Sequence, residues 1–155
     1  MTTVDRVRLV IPGKPIPLER HRTGQGRTYL PPRSKAFREL VRAEWMIAGR
    51  PTLGAEPVAA SMRFYGPNPR CDLDNLLKAI LDALNSCAYV DDSQVCCFAG
   101  IHRLPADSAG PRSEVDLWRA THTQDCACTE PVTDEDDGAH CARCELPIGG
   151  LERAA

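Results

Sequence analysis

CDLDNLLKAILDAL, residues 71–84, carries the clearest secondary-structure signal in the chain. Its leucines and isoleucine fall at i, i+3, i+4, i+7, i+8 and i+11, which predicts an amphipathic helix with one continuous apolar stripe. The opposite face carries Asp74, Lys78 and Asp82 at i, i+4 and i+8, so we expect these side chains to line one exposed ridge. Asp72 precedes the helix, where its carboxylate is expected to cap free backbone amides.

A second helix and four strands are predicted around this helix. The helix is expected to start with Ser34 as its cap and to run to about Ala48. The predicted strands are Val4–Ile11, Glu56–Tyr65, Gln94–Leu104 and Glu114–Thr121, and Lys14–Pro32 is predicted to be a long basic loop. The order strand, helix, strand, helix, strand, strand predicts an α+β fold, or mixed α/β sandwich, with the helices packed on one sheet.

A change of composition near residue 122 predicts two parts. Residues 1–122 hold all the predicted core elements, whereas residues 123–155 form an acidic, cysteine-rich tail in which residues 129–138 contain few core-forming residues. We therefore expect one folded domain, 1–122, and a small appendage, 123–155.

Charge is distributed unevenly behind a formal net charge of −2. A near-neutral balance argues against a nucleic-acid partner, which usually needs a basic surface. Residues 6–50, however, hold 11 basic and 3 acidic side chains, whereas residues 121–155 hold 2 and 8. The basic front is either a solvated loop or a surface for DNA phosphates. The candidates for phosphate contacts are Lys14, Arg20, Arg22, Arg27, Arg33 and Arg70.

Acidic residues cluster in two places. Asp72 and Asp74 flank the start of the predicted helix, and Asp91-Asp92 lies in a turn before a strand that looks buried. One interpretation is a solvated helix face with ion pairs and an ordinary acidic turn. The other is a Mg²⁺ site, because Mg²⁺ takes hard oxygen ligands from carboxylates and substrate phosphates.

These residues together resemble the RusA family of Holliday-junction resolvases. Residues 71–84 are similar to the family signature D-L-D-N-x-x-K-x-x-x-D-A-L, and DDSQV, residues 91–95, is similar to its second block. Gly13-Lys14-Pro15-Ile16-Pro17 followed by Arg20 and Arg22 is similar to its G-x-P-x-P front. The resemblance covers most of residues 6–120.

The resemblance implies a Mg²⁺-dependent endonuclease with a mixed sheet and two main helices. It would act as a homodimer, cutting four-way DNA junctions by paired incisions in recombination and repair, and such proteins are common in phages and prophages. The implied catalytic residues are Asp72, Asp74, Lys78 and Asp92, of which the three aspartates would bind Mg²⁺. The implied supporting residues are Asn75, Asp82 and Asp91. One departure is that the family's basic run before the first aspartate is reduced here to Arg70.

Four cysteines in the tail have spacings that suggest a metal site: Cys126, Cys128, Cys141 and Cys144. A C-x-x-C turn lets two thiolates reach one tetrahedral Zn²⁺, and zinc would allow a segment with little apolar content to fold. The alternative is a disordered acidic tail with incidental thiols. Either way the tail is expected to be an accessory to the catalytic domain.

Two other functions fit parts of the sequence. One is a protein that binds junctions without cutting them, and the other is a metallohydrolase of small phosphoesters. The full set of acids and the lysine argues against the first, and the extensive basic loop argues against the second. No apolar run reaches the length of a membrane span, so we expect a cytoplasmic protein with no membrane partner.

Overall fold

Two helices pack on one face of a four-stranded sheet in the computed structural model, which describes residues 2–3, 6–24, 26–120, 131–134 and 138–141. In chain order the elements are β1 (Thr2–Thr3), β2 (Arg6–Pro12), β3 (Arg22–Gly24), β4 (Arg27–Tyr29), α1 (Pro32–Ile47), β5 (Pro51–Thr52), β6 (Val58–Tyr65), α2 (Leu73–Leu84), a 3-10 turn (Asp92–Gln94), β7 (Val95–Leu104), β8 (Arg112–Arg119), β9 (Pro131–Asp134) and β10 (Gly138–Cys141). The predicted order of the main elements is confirmed by β2, α1, β6, α2, β7 and β8. The α+β class is confirmed as well.

The central sheet is mixed, with strand order β2-β8-β6-β7. β8 is antiparallel to both β2 and β6, whereas β6 and β7 are parallel. Because neighbouring parallel strands start at the same end of the sheet, the chain must cross from the end of the first strand back to the end where that strand began. α2 provides this crossover, which is why the helix that carries the acids lies directly on the sheet.

Alternation of apolar and polar residues gives the sheet one buried face. In β2, Val7, Leu9 and Ile11 are buried and their neighbours are exposed. The buried helix residues that pack against this face are Phe37, Val41, Trp45, Leu76, Ile80 and Leu84. Because α2 places its apolar stripe here, its polar face is left on the surface.

The opposite face of the sheet carries a layer of ion pairs, which we call the charged sheet face. It consists of Arg6, Arg8, Arg63, Arg112, Glu114 and Asp116. The strand register sets Arg63 beside Glu114 on the neighbouring strand. Each of these arginines therefore has a carboxylate partner within the domain.

Two predicted helix caps are wrong. α1 begins at Pro32, because proline already has helical φ and needs no amide partner at the first position, so Ser34 lies inside the first turn and caps nothing. Asp72 does occupy the position before α2, but its carboxylate forms no capping hydrogen bond.

Two further predictions need correction. β7 is an edge strand whose side chains are mostly half-buried or exposed, so it is not the buried strand that its sequence suggested. The basic loop is not continuous, since β3 and β4 pair within it as a short antiparallel hairpin. In the tail the described residues form the antiparallel pair β9–β10. The boundary at residue 122 stays a prediction. In the described part of the chain, no helix is long and apolar enough to cross a membrane.

Candidate functional site

The polar face of α2 is the starting point of the candidate site. Asp74 and Lys78 are exposed and Asp82 is half-buried, whereas Leu76 and Ile80 on the other side are buried in the core. The ridge predicted from the i, i+4, i+8 spacing is therefore present on the surface. Its charges are held on a helix fixed by its own apolar stripe.

A cavity of about 300 Å³ joins this ridge to the basic loop. The lining residues are Leu18, Glu19, Arg20, His21, Asn75, Lys78 and Asp82. Residues 18–21 come from the loop after β2, and the other three come from successive turns of α2. The structure thus brings the predicted catalytic lysine together with one predicted phosphate-binding arginine.

The loop is held against both helices by backbone hydrogen bonds. The Leu18 amide donates to the Asn75 carbonyl of α2 over 2.9 Å. The Glu19 amide donates to the Ser34 hydroxyl of α1 over 3.2 Å. Asn75, predicted as a supporting residue, also donates its side-chain amide to Asp72 over 3.5 Å. Asn75 therefore contacts the loop and the first acid at once.

The second acidic group lies on a tightly bonded turn. The Asp91 carboxylate accepts from the Ser93 amide over 3.0 Å. Hydrogen bonding from the Ser93 side chain, and then from this amide, holds the pKa of Asp91 below its usual range. Gln94 accepts from the amides of Val90 and Asp91 and donates to the carbonyls of two residues before β6. These bonds fix the backbone that carries Asp92.

This turn lies beside the C-terminal half of α2. The hydroxyl of buried Tyr89 donates to the Leu81 carbonyl over 2.9 Å. Burial, together with the negative charges of Asp92 and Asp82, raises the pKa of Tyr89, so the phenol stays protonated across the physiological range. Asp92 and Asp82 therefore both lie near Tyr89, whereas Asp72 precedes the helix at its other end.

The six predicted phosphate-binding side chains lack the ion pairs, within the described ranges, that the arginines of the charged sheet face form. Lys14, Arg20, Arg22, Arg27, Arg33 and Arg70 are all exposed. None of them forms an ion pair with another residue of the described ranges, whereas the sheet arginines all do. The front of the molecule therefore has cationic groups whose charge no described carboxylate neutralises.

A scan against protein-family models matches residues 12–117 to endodeoxyribonuclease RusA, which is more than half of the chain. The chain belongs to the RusA family. This membership identifies it as an endodeoxyribonuclease of the Holliday-junction-resolving class. A search of curated proteins found no match.

The carboxylates of this RusA-family chain suit Mg²⁺ in kind. Within the described ranges, no three His, Cys, Asp or Glu side chains lie close enough to form a ready-made metal site. Mg²⁺ does not require one, since it is usually bound by one or two carboxylates together with substrate phosphates and water. Asp72 and Asp74, both exposed at the start of α2, are the two carboxylates that could hold it. Of the tail cysteines, Cys126, Cys128 and Cys144 lie outside the described residues, and Cys141 ends β10.

Three contacts of the RusA-family site were missed from the sequence. Gln94 could have been found, because Asp91 and Gln94 have the D-x-x-Q spacing of a capping box. Arg103 donates to the carbonyls of Pro69 and Cys71 and so fixes the turn before α2, but 32 residues separate it from Cys71. The contact of Ser34 with Glu19 likewise depends on how the loop crosses α1, which no local pattern encodes.

Proposed function

We propose that this protein is a Mg²⁺-dependent, structure-specific endonuclease that resolves four-way DNA junctions by paired incisions. The cavity in which Arg20 of the basic loop meets Lys78 and Asp82 of α2 carries the proposal. Arg20 lies there beside Lys78 and Asp82, which share the polar face of α2 with Asp74, one of the proposed metal ligands. Cations and carboxylates side by side suit a phosphodiester substrate: the cations position the phosphate, and its negative charge must be neutralised during cleavage.

Asp72 and Asp74 are the proposed Mg²⁺ ligands at the start of α2, and Asp92 is the third predicted ligand. Mg²⁺ bound there would supply a water of lowered pKa and neutralise charge as the phosphodiester bond breaks. Lys78 would then hold a non-bridging phosphate oxygen, one helical turn from Asp74. Asp82 and Asp91 support the site, the first by facing Lys78 in the cavity and the second by ordering the turn of Asp92.

The exposed cations without carboxylate partners support DNA binding by the front of the molecule. Phosphate contacts of this kind position a duplex without reading its sequence, which suits recognition of a branched shape. We propose that Arg20, Arg22 and Arg27 make the principal contacts, with Lys14, Arg33 and Arg70 around them. A homodimer would present two such surfaces, as two symmetric incisions require. We propose that the protein acts in the cytoplasm, in recombination and repair that includes phage or prophage DNA.

The tail is proposed as an accessory Zn²⁺ site. The support comes from the spacing of its four cysteines in the sequence. It takes no part in the proposed cleavage.

Cleavage by the Asp74→Asn variant tests the catalytic assignment. We expect the cleavage rate on a four-way junction with Mg²⁺ to fall by about 1,000-fold, equivalent to about 4 kcal/mol of transition-state stabilisation, while junction binding persists. Glu39→Gln, an exposed change on α1, is the matched control and should cut normally. Normal cleavage by Asp74→Asn would overturn the assignment.

Substrate comparison tests the remaining alternatives in the same assay. Four-way junction, flap and linear duplex are incubated with and without Mg²⁺, and Asp92→Asn is assayed beside Asp74→Asn. Tight junction binding by the wild-type protein without incision under any metal condition would instead indicate a non-cleaving junction-binding protein. Hydrolysis of a small phosphodiester without junction preference would indicate a metallohydrolase.

A further inference from the structure

Ser34 makes a contact that its position in a helix does not require. It lies in the first turn of α1, is 5 % exposed, and its hydroxyl accepts from the Glu19 amide over 3.2 Å. The same hydroxyl donates to the Glu19 carboxylate over 3.4 Å. A serine in a helix usually bonds its own backbone or water. Here both hydrogen-bonding roles of the hydroxyl serve one residue of a distant loop.

A second contact holds the neighbouring residue to the other helix. The Leu18 amide donates to the Asn75 carbonyl over 2.9 Å, and the Leu18 side chain packs against the core. Two consecutive residues are therefore bonded to two different helices. We call these two contacts, from Glu19 to Ser34 and from Leu18 to Asn75, the loop clasp.

The loop clasp lies directly before the residues that line the cavity. Arg20 and His21 follow Glu19 in the chain, and both face Lys78 and Asp82 across the cavity. Both are exposed, so little packing fixes their backbone. Ordering a free side chain on binding costs conformational entropy, and a backbone already held in place reduces that cost.

We propose that Ser34 is a positioning residue for junction DNA. By holding the Glu19 backbone, it sets Arg20 and His21 in the cavity with Lys78, so that Arg20 and Lys78 meet the phosphates of one strand with the His21 side chain beside them. This inference rests on the proposed function, because it assumes that the basic loop binds DNA. It adds a residue that touches no DNA itself and acts through Arg20 and His21.

A double-mutant cycle between Ser34→Ala and Arg20→Ala tests the proposal. Each single change should weaken four-way-junction binding about tenfold. It should also reduce the slope of log affinity against log salt concentration by about one, which corresponds to one phosphate contact. The double variant should bind more tightly than the product of the two single effects predicts, because part of the Ser34 effect acts through that arginine. For Ser34→Ala, cleavage at saturating junction should stay within about threefold of wild type, since the acids of α2 are untouched.

A matched cycle uses Arg70→Ala, an exposed cation outside the loop clasp. When Arg70→Ala is combined with Ser34→Ala, the two fold-losses of junction affinity should multiply. Ser34→Thr keeps the hydroxyl and should restore binding to within about threefold of wild type. Ser34→Cys keeps the side-chain volume with a much weaker acceptor, and it replaces Ser34→Ala in the cycle if the alanine variant does not fold.

Three outcomes would overturn the inference: multiplying effects of Ser34→Ala and Arg20→Ala, unchanged junction binding by Ser34→Ala, or a fall in saturated cleavage with binding unchanged. The proposed function fails separately. If the wild-type protein neither prefers nor cuts the junction, the function is wrong; if it does both and the effects multiply, only the role of Ser34 is wrong.

Discussion

Replacing Arg63 by methionine would test how much the charged sheet face contributes to stability. The Arg63 guanidinium donates from Nε to Glu114 over 3.0 Å and from a terminal nitrogen to Asp116 over 3.0 Å. Glu114 and Asp116 are only 9 % and 4 % exposed. Methionine keeps much of the side-chain volume and removes the charge, so the change isolates the two hydrogen-bonded ion pairs.

The expected loss in the free energy of unfolding is about 2 kcal/mol at pH 7. Breaking a fully buried pair costs about 3–5 kcal/mol, whereas an exposed pair contributes about 0.2–1 kcal/mol. The Arg63 side chain is 30 % exposed, which places it between these limits. Glu114 keeps Arg112 at 2.8 Å, but Asp116 keeps only two guanidinium groups at 3.9 Å. The cost therefore comes from both carboxylates: Asp116 loses its close partner, and Glu114 loses one of two close partners.

The effect should depend on pH in a defined direction. Burial alone would raise the pKa of Glu114, but hydrogen bonds from Arg112 and Arg63 outweigh it, and the pKa lies below its usual range. A carboxylate whose pKa is lowered by folding adds stability above its unfolded pKa and loses it as pH falls through the folded value. The difference between wild type and Arg63→Met should thus be largest at pH 7 and shrink below about pH 4.5.

Urea unfolding at pH 7 and at an acid pH where the wild type still folds measures both effects. Arg33→Met, an exposed change with no ion pair in the described ranges, is the control and should stay within about 0.5 kcal/mol of wild type. A loss below about 0.5 kcal/mol for Arg63→Met at neutral pH would refute the reasoning. So would a difference that is equally large at both pH values.

Two further predictions concern the second acidic turn and the tail. Gln94→Ala removes four hydrogen bonds around the turn of Asp92, so we expect a loss of about 2 kcal/mol in urea unfolding and a fall in cleavage that exceeds any fall in junction binding; unchanged stability would contradict the role of this side chain. Metal analysis of the purified protein should find one Zn²⁺ per chain, and loss of this zinc on replacing the four tail cysteines by serine would assign it to them; a content well below one per chain would leave the tail as an acidic segment with incidental thiols.

The elements could be predicted where local pattern determines them. The stripe from Leu73 to Leu84 gave α2 and its polar ridge, because a period of 3.6 residues depends only on neighbours along the chain. The partners of Arg63 could not be predicted, because the register of β6 against β8 joins residues about 50 positions apart. The prediction that Ser34 caps α1 is wrong because Pro32 already starts the helix. The Ser34 hydroxyl accepts a hydrogen bond from the Glu19 amide instead.

The candidate site was predictable in its residue types and not in its grouping. The motifs at residues 71–84 and 91–95 indicated the acids and Lys78 as candidates, and the excess of basic residues indicated the loop as a candidate DNA-binding surface. Neither motif indicates that Lys78 shares a cavity with Arg20 and Asp82. That grouping depends on the path of the loop over the helices, which the backbone bonds of Leu18 and Glu19 set.

Because β6 and β7 pair in parallel, α2 connects the end of β6 to the start of β7 at the opposite end of the sheet. The crossover must begin at one end of the sheet and return to the other, so Asp72 precedes α2 and Asp92 follows it beside Tyr89. Twelve helical residues rise about 18 Å. The length of α2 therefore sets how far apart along the helix axis the acidic side chains at its two ends lie, and adding or removing one helical turn would change that separation by about 5.4 Å.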